Sequence, residues 1–87
     1  MATFSVLSIR DVVGANYGRP FFAPSVGSGV RSVTHEVNTS ADGNMLNTNP
    51  DDFEIYSLGS FDDQTCKFDL LDVPELIVRC SALVSKA

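Results

Sequence analysis

The chain has 87 residues, 44% of them hydrophobic, and a net charge of −5. That balance excludes wholesale disorder, and no apolar run reaches the ~18 residues needed to span a membrane. The acidic excess opposes autonomous, high-affinity binding to nucleic acid and attraction to anionic membranes, because lysines and arginines set against phosphates supply most of that affinity.

The opening MATFSVLSIRD has no basic n-region and its apolar run is broken by serines, which predicts no signal peptide. We expect a single domain over residues 1–87 that stays in the compartment where it is made. A domain this short buries only about 60–65% of its unfolded surface, so an oligomer is one route to a larger core.

FSVLSIRDV predicts a first strand, over about residues 4–10. Phe4 and Val6 point one way, Leu7 and Ile9 the other, so both faces need cover. VGANYGRPFFAPSVGSG follows, with four glycines and two prolines that exclude a helix. Its rings, Tyr17, Phe21 and Phe22, either fold over the core or face a partner. Val30, Val33 and Val37 then recur at helical spacing, predicting a helix over about residues 29–38, with Ser28 as N-cap and Asn38 as the stop.

A polar loop with Asp42-Gly43 and Asn49-Pro50 turn signals leads to FEIYSLGSF, a strand over about 53–60. Asp62–Thr65 form the turn, and CKFDL returns as a strand over about 66–71. After Pro74, Leu76, Val78, Cys80, Ala82 and Val84 alternate with Glu75, Ile77, Arg79, Ser81 and Leu83. This predicts a strand over about 76–84, with a short helix from Pro74 as the competitor. The expected fold class is α+β: a small, mostly antiparallel sheet of three or four strands with one packed helix.

Charge is polarised along the chain. Residues 1–40 carry Arg10, Arg19 and Arg31 against Asp11 and Glu36, while residues 51–75 carry eight carboxylates against Lys67. Asp51, Asp52, Asp62 and Asp63 read as solvated turn residues, and Asp62, Asp63, Asp69 and Asp72 do not have the spacing of a calcium loop. Glu54 and Asp69, within strands, must point outward or pair with Lys67 and an arginine.

One histidine and two scattered thiols, Cys66 and Cys80, do not make a zinc site, so we expect free, partly buried thiols and no metal. His35 has no neighbour on its helix face to orient it, and no phosphate-binding or zinc-protease motif occurs. The VGSG run could offer backbone amides to a phosphate, but it lacks the lysine that would complete a phosphate loop. No enzyme and no cofactor are expected.

The order of GRPFFAPS, VRSVTHEVN, PDDFEIYSLGSFDD and PELIV resembles the small nonstructural protein of microviruses, the gokushovirus branch of single-stranded DNA phages. That resemblance implies a nonstructural accessory protein of the host bacterial cytoplasm, acting at single-stranded DNA synthesis or packaging. It carries over no catalytic residue. Arg19 and Arg31 match positions where that family carries a basic residue, which makes them phosphate candidates.

With Arg10, and with Tyr17, Phe21 or Phe22 as stacking rings, they form a candidate contact to single-stranded DNA. The other reading is an oligomeric adaptor that binds phage or host replication proteins without gripping DNA. A homo-oligomer, a dimer first, is expected on either reading. Its contact would include Ile77 and Leu83 on the outer face of the last strand.

Overall fold

The computed structural model describes residues 3–85. β1 (Thr3–Asp11) lies at the centre of the sheet and pairs antiparallel with β4 (Phe53–Asp62). β5 (Lys67–Arg79) pairs with the far side of β4 and forms one edge. Two short strands, β2 (Asn16–Tyr17) and β3 (Phe21–Ala23), pair successively with the other side of β1. α1 (Val26–Val37) packs on one face, and a four-residue α2 (Met45–Thr48) lies in the loop that follows.

The expected α+β domain of three or four strands with one packed helix is overturned. The sheet has five strands and dominates the fold, and α1 is the one long helix among the described residues. Two misreadings explain the difference. The aromatic loop hides β2 and β3, because strands of two and three residues leave no periodicity to read.

The segments expected at 66–71 and 76–84 are instead one strand to Arg79, followed by a 3₁₀ turn at Cys80–Leu83. Pro74 suggested a break, but it sits in a wide bulge. Leu70 pairs with Gly59 and Glu75 with Ser57, so residues 71–74 stand opposite Leu58 alone. Proline is tolerated at such a bulge on an edge strand because no ladder hydrogen bond is asked of it.

The helix is legible from its valines, but its cap lies three residues earlier than the sequence suggested. Ser25, not Ser28, is the N-cap, its Oγ accepting a hydrogen bond from the Ser28 amide at 3.1 Å. Asn38 ends the helix as expected. Its side-chain amide donates to the Thr34 and Leu83 carbonyls, and its Oδ1 accepts from the Ser85 amide. Asn44 and Asn47 donate to the Glu36 and Val37 carbonyls at the helix end, where the Glu36 carbonyl also accepts from the Thr39 amide.

Directly opposed residues in a sheet share a face, and alternate residues along a strand change face. Leu7 and Ile55 point toward α1, where Val33, Val37 and Cys80 are buried with Ile55 and where Ile9, Phe21, Phe53 and Leu83 pack around them. Gly29 brings α1 close to the sheet, since a Cβ there would collide with Leu7 Cδ1. The opposite face carries Phe4, Val6, Ser8 and Arg10 from β1. Among the described residues no helix covers this face, although Val6 and Ser8 are themselves buried.

Candidate nucleic-acid interface on the open sheet face

On this open face, the row Tyr17–Arg10–Glu54–Arg79 runs across four strands as successive register partners. The residue that follows β2 is pinned by two bonds. The Ser8 hydroxyl donates to the Gly18 carbonyl at 2.8 Å, and the Gly18 amide donates to the Ile9 carbonyl at 2.8 Å. This anchorage sets the Tyr17 ring, which meets the Tyr56 ring edge-on at 5.3 Å between centroids. The Arg10 guanidinium carbon lies 5.5 Å from the Tyr17 ring centroid, within cation–π range.

Glu54 is 8% exposed and is already engaged. It accepts from the Tyr56 hydroxyl at 3.1 Å and pairs with Arg79 Nε at 3.3 Å. Partial desolvation, then the Glu54 hydrogen bond and charge, raise the Tyr56 phenol above its usual range. Arg10 forms no ion pair among the described residues, and its Nε is buried without an acceptor. The row therefore presents one uncompensated guanidinium beside two tyrosine rings.

Toward the hairpin, the same face carries Phe22, Phe61 and Phe68. Their ring centroids lie 4.8 Å apart for Phe61–Phe68, 5.4 Å for Phe22–Phe61 and 6.2 Å for Phe22–Phe68. Phe22 and Phe68 are each about half exposed, at 52% and 51%. At ~3.3 Å per strand residue, the aromatic cluster begins roughly 13 Å from the Arg10 row, at Phe22, and reaches roughly 20 Å along β1, at Phe61 and Phe68. Together they make a strip of rings with a cation at one end.

The structure divides the residues singled out in the sequence. Arg10, Tyr17 and Phe22 share the open face. Phe21, next to Phe22 in a strand, points the other way and packs against the core. Arg31 is exposed on α1, across the sheet from Arg10, and Arg19 is exposed in the link between β2 and β3. The three arginines do not form one patch. Ile77 and Leu83 are half-buried and pack against the chain's own core.

Cys66 and Cys80 are free thiols, but Cys66 is exposed rather than partly buried, and Cys80 is fully buried. Burial, then the Glu54 charge, pushes the Cys80 thiol up to about 11. No group of three metal-ligating side chains occurs among the described residues, and none of their helices is long and apolar enough to cross a membrane. Tyr56, Phe61 and Phe68 were missed as site residues. The available signal was pairing across the hairpin, which places Phe61 directly opposite Phe68.

No curated protein and no solved structure matches the chain significantly. The family model for Phage ORF5 protein matches residues 4–83, from the open-face Phe4 of β1 to the Leu83 that closes the core. The chain belongs to the Phage ORF5 protein family.

Proposed function

We propose that this phage protein is a nonstructural accessory factor that touches single-stranded DNA weakly, through the open face of its sheet, during genome synthesis or packaging. The observation that carries the reading is Arg10, unpaired and set over Tyr17 on a face with six aromatic rings. Bases stack on such rings whatever their sequence, at about 1–3 kcal/mol each, and a guanidinium beside them can hold a phosphate. The acidic remainder of the chain keeps the contact weak. Membership of a phage family, and the likeness of PDDFEIYSLGSFDD to the microvirus block, support a place among microvirus proteins in the host bacterial cytoplasm.

Fluorescence anisotropy on labelled single-stranded DNA, across a salt series and beside a duplex control, tests this reading. Binding should favour the single strand, with a shallow salt slope because few phosphates are neutralised. Arg10→Ala, Tyr17→Ala and Phe68→Ala should each weaken it, and Arg31→Ala, across the sheet, should not. Absence of binding at low salt ends the proposal.

A second reading is a homo-oligomeric adaptor for phage or host replication proteins. The half-exposed Phe22, Phe68, Leu70 and Leu76 support it, being more apolar surface than so small a core leaves idle. Sedimentation equilibrium distinguishes the two: a dimer that dissociates on Phe68→Ser supports the adaptor.

A further inference from the structure

β5 is a free sheet edge. Among the described residues it pairs with β4 alone, and ten of its thirteen residues are exposed. One side of its backbone therefore offers amides and carbonyls with no strand beside them. Along residues 67–70 the side chains alternate in chemistry as well as direction. Phe68 and Leu70 lie on the open face, opposite Phe61 and Gly59, while Lys67 and Asp69 lie on the other, opposite Asp62 and Ser60. A shallow groove of about 430 Å³ is lined mostly from that second side, by Thr3, Ser60, Asp62, Lys67 and Asp69, and reaches Phe68 at the edge.

The charge around this edge selects its occupant. Residues 62–75 carry Asp62, Asp63, Asp69, Asp72 and Glu75 against Lys67, a net of −4. Antiparallel pairing of β5 with a second copy of itself could set Lys67 against Asp69, but it would bring two edges of net −4 together, whereas a cationic segment meets that charge with its opposite. The bulge limits the length available. Beyond Leu70 the chain swings out at residues 71–74, where Val73 is 74% exposed and Pro74 has no amide to donate.

We propose that Lys67–Leu70 receives a short extended segment of a partner protein by strand addition, in which cationic residues alternate with apolar ones. Its apolar side chains continue the Phe68–Leu70 strip, and its lysines or arginines reach the Asp62 and Asp69 carboxylates beside the groove. Main-chain hydrogen bonds supply affinity and the alternation supplies specificity. This surface shares Phe68 with the aromatic strip but none of the Arg10 row, and its test does not depend on DNA binding.

The probe is an acetylated, amidated Lys-Val-Lys-Val-Lys-Val peptide, titrated into the full chain and followed by amide chemical shifts and hydrogen exchange. We expect saturable binding with added protection confined to residues 67–70. Affinity should fall at least tenfold for Asp69→Lys, an exposed change that leaves the core alone, and for a peptide N-methylated on its edge-facing amides. Three outcomes overturn the proposal: no binding, shifts scattered over the acidic surface, or equal affinity for the N-methylated peptide. Self-association of the free chain that Asp69→Lys changes would also overturn it, by making a second copy the occupant of the edge.

Discussion

Gly59 is where a single methyl group should do most harm. Its φ of +138° is a backbone conformation that residues with a Cβ rarely adopt. It also lies directly against β5. A Cβ there would sit 2.8 Å from Leu70 Cα and 3.0 Å from the Asp69 carbonyl carbon, with the Asp69 oxygen nearer still. These are backbone atoms and cannot swing aside as a side-chain end would.

Gly59→Ala must therefore adopt a strained backbone, costing about 1–3 kcal/mol, and also part the ladder at Gly59–Leu70 and Ser60–Asp69. Each bond lost adds about 1 kcal/mol. The expected loss is about 3–5 kcal/mol, a large share of the roughly 4–13 kcal/mol typical of a chain this size.

Two other glycines calibrate the measurement. Gly43 has φ +77° but open space around it, so Gly43→Ala should cost only about 1 kcal/mol. Gly27 lies in α1 with its nearest neighbour atom 4.0 Å away, so Gly27→Ala should gain about 0.5–1 kcal/mol. Urea unfolding followed by far-ultraviolet circular dichroism gives all three. If Gly59→Ala loses less than Gly43→Ala, contact with β5 does not govern the site and the reasoning fails.

Cys66 holds φ +60° at the end of the hairpin turn, so Cys66→Gly should stabilise by about 0.5–1 kcal/mol after the entropy of the freer chain is deducted. A thiol reagent should modify Cys66 at once and Cys80 only at the rate of global unfolding, as a two-phase reaction would show. Because folding raises the Cys80 pKa from its usual 9 to about 11, that thiol's contribution is complete below pH 9 and is lost as pH rises through 11. Cys80→Ala should flatten the fall in stability over that window. Leu83→Asp should cost about 2 kcal/mol at every protein concentration, because Leu83 packs within its own chain; a loss confined to dilute samples would place it between subunits.

β1 and α1 were the most legible elements. The alternation of Phe4 and Val6 against Leu7 and Ile9 is the alternation of β1, and the valines of α1 face the core as their spacing requires. Glu54, required by its place in a strand to point outward or find a cation, pairs with Arg79. What failed were features decided by partners distant in sequence. Pro74 is locally a strand breaker, and only the Leu58 bulge accommodates it.

Phe21 and Phe22 are alike in composition, and the register of β3 against β1 sends one inward and one outward. The Phe22–Phe61–Phe68 cluster needs three segments brought together, so no local window could contain it. Arg10 and Tyr17 were candidates by residue type. Their mutual stacking depended on a turn whose anchor, Ser8 to Gly18, carries no motif.

The central strand pair has a consequence for how the chain reaches its fold. Partners in β1 and β4 lie between 42 and 59 residues apart in sequence, whereas the β4–β5 hairpin and α1 are local. Loop closure of that size has to precede any stabilising contact, which puts folding on the millisecond-to-second scale of non-local sheets. At a synthesis rate of about 5–20 residues per second, β1 emerges roughly 2–12 s before its main partner. During that interval Leu7 and Ile9 can draw only on β3 and α1 for cover. The early-made half must therefore wait, partly clothed, for a strand not yet synthesised.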